Sequence, residues 1–600
     1  MKSTTILAAL PCASLLLLSF SQIVAAQTED IPSAEAGALP TNNHGHGHSS
    51  RPPHHGDQKP NFLVFLTDDQ DRRINSLDYQ PLVQKYLRNQ GTEFTNYFTT
   101  TAMCCPSRVS LWSGQFAHNH NVTDESPPHG SYTKFVSQKL DQNWLPTWLQ
   151  QAGYSNNYIG KFINGVSPTL KQAPKGFDTA HWEPLVAPNI YTFYDPVFSI
   201  NNGPLTSYKG LYQTDVISDK SVEILDTLAK NTSQPFLFVI SPTAPHDEVW
   251  ITGNGTLFTP PVPAKRHEHL FKDVKIPRHP NFNPKHNDKP SWVGTLPRLT
   301  ESQVSALDDK YRARLQSLQA TDELVERIIK RLEHNNQLDN TYIVYTTDNG
   351  YHLGTHRMYA GKQTAYEEDT NIPFIIRGPG VAKGKKSNAV ATHTHFPATV
   401  LHLANLPVPD SLDAHSIPVL ENKAVYGKDQ PTEAFSVEFW SQAFMENTTA
   451  RFDANTYKSV RLIGQGYNLL YTVWCTGEKE YYDLVEDPFQ IKNIYKSTKP
   501  AFLNRLDALL NVLRTCKGPT CRDPWAVIHP AKPSSSSSSS SADKGHGHGK
   551  EHKNSVRSLK DALNKKFDKY YAELPKFAFK ECLHYYNPTN EETAPRHTEL

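Results

Sequence analysis

At 600 residues the chain is too long for one small core, so a large domain with appendages, or several domains, is expected. Its 61 Lys and Arg balance 60 Asp and Glu, for a formal charge of +1. That balance argues against nucleic acid or an anionic membrane surface as the main partner and makes any anion recognition local.

The first elements are not part of a fold. Lys2, a short apolar stretch and Val24-Ala25-Ala26 predict a cleavable signal peptide over residues 1–26. Pro11 and the Ser21-Gln22 pair cut that stretch short of a bilayer span, and no later segment is apolar enough for one. Asn121, Asn231, Asn254 and Asn447 each stand in N-x-[ST], which fits passage through the secretory pathway, ending in secretion or, given the terminal H-T-E-L, retention in the endoplasmic reticulum. Residues 27–58 read as a disordered arm rich in His, Gly and Pro. Residues 529–553, with the serine run Ser534–Ser541 and further His-Gly repeats, read as a linker. Imidazole capture of a transition metal is the other reading of these arms, but His-Gly alternation without carboxylate or thiolate builds no fixed site.

Between the arms the pattern predicts an α/β fold: a large mixed, mostly parallel sheet flanked by helices over 59–423. Four apolar runs, N-F-L-V-F-L-T-D-D, Y-S-N-N-Y-I-G-K, P-F-L-F-V-I-S-P-T-A-P-H and T-Y-I-V-Y-T-T-D-N-G, have the look of buried parallel strands that end in polar residues. Such ends converge on one sheet edge, which would gather Asp68, Asp69, Lys161, His246, Asp348 and Asn349. Apolar spacing predicts a helix over Thr300–His334. Over 424–528 the alternating, aromatic-rich segments predict a small antiparallel sheet with a helix, and 554–600 a helical extension. Once Cys12 leaves with the signal, six cysteines remain; Cys475, Cys516 and Cys521 are expected to include one disulfide.

The matching T-D-D and T-D-N ends offer hard oxygen donors suited to Ca²⁺ or Mg²⁺, although Asp and Asn also cap helices and shape turns. Lys161, His246 and Lys362 are candidate anion contacts. Cys104-Cys105-Pro106-Ser107-Arg108 fits neither a bridge between neighbours, whose Cα atoms lie too close, nor zinc spacing.

C-C-P-S-R-V-S-L-W-S-G resembles the signature of type I sulfatases, in the alkaline phosphatase superfamily, with Ser113 where family members mostly carry Thr. L-T-D-D-Q, G-K, D-N-G-Y-H-L-G and I-P-F-I-I-R-G-P-G match in order, and G-K-F-I-N places the chain near the N-acetylglucosamine-6-sulfatase branch. The resemblance implies an alkaline-phosphatase-like fold and an arylsulfatase that cleaves a sulfate monoester. It implies that Cys104 is oxidised to formylglycine by a formylglycine-generating enzyme. One hydroxyl of the aldehyde hydrate then attacks sulfur, and the other expels sulfate. It implies one Ca²⁺ held by Asp68, Asp69, Asp348, Asn349 and residue 104, with Arg108, Lys161, His246 and Lys362 as further catalytic residues. Ser107 would serve recognition by the maturing enzyme. Asn164 stands where many arylsulfatases have a His, which leaves the base for aldehyde regeneration open, with His352 one substitute. A phosphoester or phosphonate hydrolase on the same fold, and a secreted His-rich metal-binding protein, are the alternatives.

Overall fold

The structure, a computed structural model, describes residues 58–177, 181–252, 255–420, 432–530 and 556–594. The expectations for the signal peptide, the His-Gly arms, the Asn254 sequon and the H-T-E-L ending lie outside the described residues. Among the described residues no helix is long and apolar enough to cross a membrane.

An eight-stranded sheet organises the molecule. In chain order its strands are β1 (Asn61–Thr67), β2 (Thr92–Phe98), β3 (Ser155–Gly160), β4 (Trp182–Pro184), β5 (Phe236–Ser241), β6 (Thr341–Thr347), β7 (Phe374–Arg377) and β8 (Lys385–Thr392). Across the sheet they run β8-β2-β7-β6-β1-β5-β3-β4, and β7 alone opposes the rest. The expected mixed, mostly parallel sheet is present. Its strands read as unbroken apolar runs because both faces are covered. Phe62, Val64 and Leu66 of β1 enter one apolar cluster, while Leu63 and Phe65 enter another on the opposite face.

Helices close the two faces. Helix α1 (Cys104–Ser113) is buried along its whole length. The others to note are α2 (Gln213–Leu228), α3 (Glu301–His334) and α4 (Pro500–Leu513). The 34 residues of α3 start at a capping box: Thr300 Oγ1 accepts from the Gln303 amide, and Gln303 Oε1 accepts from the Thr300 amide. Its Leu324, Val325, Ile328, Ile329 and Leu332 form a stripe packed under β1 and β6, each side chain contributing about 1.5–3 kcal/mol of burial.

The second sheet is the expected antiparallel meander, β9 (Ala434–Phe439), β10 (Tyr457–Gly464), β11 (Tyr467–Trp474) and β12 (Lys479–Asp483), with α4 packed on it through Leu506, Leu509, Leu510 and Leu513. It joins the large sheet through polar contacts, among them Arg461 Nε to Glu367 Oε1 at 2.9 Å. Disulfides link Cys516 to Cys521 and Cys475 to Cys582, so only one bridge falls inside the cysteine cluster.

The C-terminal extension departs from the expected long helix. It consists of short helical segments, Leu559–Ala562, Lys565–Phe567 and Asp568–Glu573, and then a hairpin of Lys576–Phe579 with Glu591–Ala594. The interruption has two visible causes. The Asn564 side chain accepts from the Lys566 amide and starts a new turn, and Arg505 on α4 takes the Ala562 and Asn564 carbonyls.

Candidate active site

Four neighbouring strand ends and the start of α1 build the site. β1 pairs in parallel with β6, Thr67 opposite Thr347, so Asp68-Asp69 and Asp348-Asn349 leave the sheet side by side. β5 and β3 follow, with Gly160 opposite Ser241, which brings Lys161 and the loop to His246 to the same edge. Asp69 adopts a left-handed backbone (φ 62°), and its amide donates to Asp348 Oδ1 at 3.0 Å. Cys104, the first residue of α1, points into this edge and is fully buried.

The six charged groups around Cys104 form a network in which each has one close partner of opposite sign, with Arg108 also 3.7 Å from Asp68 and Lys161 4.0 Å from Asp348. Lys161 Nζ lies 2.5 Å from Asp68 Oδ2, Lys362 Nζ 2.5 Å from Asp69 Oδ1, and Arg108 Nε 2.8 Å from Asp348 Oδ2. Cys104 Sγ is 3.4 Å from Asp68 Oδ1 and 3.1 Å from Lys362 Nζ. Arg108 is anchored from behind, donating to the Lys161 carbonyl at 2.7 Å and to Ser241 Oγ at 3.1 Å. Ser107 donates to the Asp348 carbonyl. Cys105 is buried among apolar side chains and unbridged.

Burial sets the electrostatics. It opposes ionisation of Asp348, yet Arg108, Lys161 and Lys362 together hold that carboxyl well below its usual range. Asp68 rises to about 8, through burial first and then the Asp348 charge, against Lys161 and Arg108. Burial, and next Asp348, push the Cys104 thiol well above its ordinary value, the reverse of a thiol poised as thiolate.

The residues fit a hard divalent cation. Asp69 Oδ2 and Asn349 Oδ1 are buried with no hydrogen-bond partner, and ligand atoms of Asp68, Asp69, Cys104 and His246 lie within 4.8 Å of one another. Asn349 joins the set through Nδ2, which donates to Asp69 Oδ1 at 2.7 Å. With three carboxylates and an amide oxygen present, the donors suit Ca²⁺ or Mg²⁺ over soft metals.

His246 Nε2 lies 3.6 Å from Asp69 Oδ2, and its Nδ1 is 2.7 Å from the Asp247 carbonyl. A carbonyl only accepts, so Nδ1 carries the proton and Nε2 presents its lone pair to the site. Burial holds the imidazole down at about 3, hence neutral. Tyr191 stacks on this ring at 4.3 Å and lies 4.7 Å under Lys161 Nζ. Asn164 reaches the cluster through Tyr191, donating to its hydroxyl at 2.9 Å. His352 is held elsewhere, its Nδ1 2.8 Å from Asp369.

Several residues here carry no sequence signal. Tyr191 and Ser241 stand outside the motifs. Arg314, midway along α3, donates to the Asp69 carbonyl at 2.5 Å and the Pro245 carbonyl at 3.0 Å, and so ties the acidic turn to the His246 loop. A cavity of about 570 Å³ leads to the site past His246, Lys362, Tyr191, Asn164, Glu125 and Glu446.

The chain is similar to known proteins in sequence and in fold. A family model described as sulfatase matches residues 60–406, and one described as N-sulphoglucosamine sulphohydrolase, C-terminal, matches 354–515. The chain is 40% identical over 573 residues to an arylsulfatase of Volvox carteri, covering 90% of this chain and 84% of that protein. It is 30% identical to the human N-acetylglucosamine-6-sulfatase, covering 78% of this chain and 87% of that one. A solved structure of a protein in complex with its substrate D-glucosamine-2-N,6-O-disulfate superimposes with a TM-score of 0.61 at 25% identity, over 76% of this chain and 97% of that one. On these matches, which run through both sheets, the chain belongs to the sulfatase family.

Proposed function

We propose that the chain hydrolyses sulfate monoesters, aryl sulfates or sulfated sugars, after Cys104 has been oxidised to formylglycine by a formylglycine-generating enzyme and with one Ca²⁺ bound beside it. The aldehyde hydrate at position 104 supplies the nucleophilic hydroxyl, and Ca²⁺, held by Asp68, Asp69, Asp348, Asn349 and residue 104, supplies a fixed positive charge.

The observation that carries this reading is the network of three carboxylates and three cations around one buried side chain. With all three carboxylates ionised that charge set is self-cancelling; a divalent cation taken by the carboxylates and a singly charged sulfate monoester taken by the lysines would add one net positive charge, which favours an ionised hydroxyl at position 104. Lys161 and Lys362 would then hold the sulfate oxygens, where negative charge grows in the transition state. Arg108, fixed to the Lys161 carbonyl, Ser241 and Asp348, holds Asp348 in place beside residue 104. The lone pair of His246 Nε2 accepts a proton from a reacting hydroxyl or a hydrogen bond from it. Lys362, which both touches residue 104 and lines the cavity, donates the proton that the departing alcohol requires. Two disulfides suit an oxidising compartment, and we place the protein in the secretory pathway.

Hydrolysis of an aryl sulfate and the matching aryl phosphate, measured side by side on protein made with the maturing enzyme and Ca²⁺, tests the proposal. Sulfate turnover should exceed phosphate turnover and vanish in Cys104→Ala. Equal sulfate turnover by that variant would overturn it.

A further inference from the structure

The cavity beyond the sulfate-binding cluster has an uneven charge. Its walls include apolar faces from Pro188, Val249, Phe258 and Phe444, and among them stand two carboxylates, Glu125 and Glu446. Glu446 is 1% exposed and rigidly placed: Oε2 accepts from the Tyr351 hydroxyl and lies 3.6 Å from Lys310 Nζ. Lys310 does not cancel it alone, because the same ammonium lies 2.5 Å from Asp247 Oδ2 and 2.6 Å from Asn447 Oδ1. Lys310 and Lys362 keep the Glu446 carboxyl ionised, down to about 2, despite burial. Burial raises the Glu125 carboxyl, opposed by the charges of Lys362 and Lys161, both of which a bound sulfate would occupy. The remaining cation of the wall, Arg451, sits at the exposed rim, folded against the Phe444 ring at 5.1 Å and donating to the Ala450 carbonyl.

A sulfate ester seated on Lys161 and Lys362 therefore projects its alcohol between two carboxylates and an apolar wall. Carboxylates accept hydrogen bonds from hydroxyl or ammonium groups and repel a further anion. We infer that Glu125 and Glu446 are specificity-determining residues, selecting sulfate monoesters whose alcohol is neutral or cationic beside the ester, such as a phenol or an amino sugar, and turning away those with a second sulfate or a carboxylate there. The inference rests on the sulfatase reading above and names the substrate class of that same site.

Two matched pairs test it: 4-nitrophenyl sulfate against its 3-carboxy analogue, and D-glucosamine 6-sulfate against D-glucosamine-2-N,6-O-disulfate. The readout is the ratio of kcat/KM within a pair, compared between wild type and the variants Glu446→Gln and Glu125→Gln, so that differences in intrinsic reactivity cancel. The wild type should favour the less anionic member, and each variant should compress that ratio about tenfold, chiefly through a lower KM for the more anionic substrate. Glu125 lies outside the Lys310 network, so its variant decides the matter if Glu446→Gln fails to fold. Sulfate turnover with wild-type ratios unchanged in the folded variants would overturn the inference while leaving the sulfatase reading intact. Failure of aldehyde-bearing wild type to hydrolyse any of the four would overturn both.

Discussion

Each cation at the site lies within 4 Å of at least one carboxylate, so no charge there can be removed silently. Lys161→Ala and Lys362→Ala should each lower kcat/KM for an aryl sulfate by about 10²–10³, since each removes a donor aimed at oxygens that gain charge in the transition state. Steady-state kinetics on folded variants would check this, and a loss below tenfold would contradict the sulfate-binding role. Asp68, Lys161 and Asp348 could be placed at one sheet edge from the sequence because each directly follows a strand, whereas Arg108, in the second turn of α1, and Lys362 come from the resemblance. Tyr191 could be read from neither. It comes from the loop after Ala187-Pro188, and only the fold sets its ring against His246 and its hydroxyl on Asn164. His352 shows the converse case: a histidine inside a matching motif that is held by Asp369.

Among the elements, α3 does more than cover the sheet. Arg314 on its buried side holds the carbonyls of Asp69 and Pro245 and lies 3.8 Å from Asp71. Arg314→Met should cost about 3–5 kcal/mol of stability, because it strands the buried Asp71 carboxylate, and should also reduce kcat as the acidic turn loosens. Urea denaturation beside steady-state kinetics would show both effects. Thr300→Ala should cost about 1 kcal/mol with kcat unchanged, since the cap lies about 20 Å along the helix from Arg314 and its side chain bonds only Gln303 and Ser302. The span of α3 is legible from its apolar stripe. The extension after 555 was not: its amphipathic spacing matches a helix, but Arg505, some 60 residues earlier, claims the carbonyls that a continuous helix would use. Spacing records local preference and is blind to a tertiary competitor of this kind.

The described residues form one α/β body, in which the Cys475–Cys582 bridge ties the C-terminal hairpin covalently to the second sheet. The Cys475–Cys582 bridge closes a loop of 107 residues, whereas Cys516–Cys521 spans five. Opening the long loop with Cys582→Ser should therefore destabilise by about 2–4 kcal/mol, and by more than Cys516→Ser, an order that thermal unfolding of the two variants would test. If Ca²⁺ binds only the folded chain, a hundredfold excess over Kd adds about 2.7 kcal/mol, so chelation should lower Tm in the wild type and leave Asp348→Asn unmoved. All of the proposed chemistry converges on one residue. The most direct test is mass spectrometry of the peptide containing Ala102–Arg108, taken from protein that is turning over an aryl sulfate. The expected result is an aldehyde in place of the thiol at Cys104, at an occupancy that scales with activity across preparations, whereas an intact thiol at 104 in fully active protein would contradict the proposed mechanism.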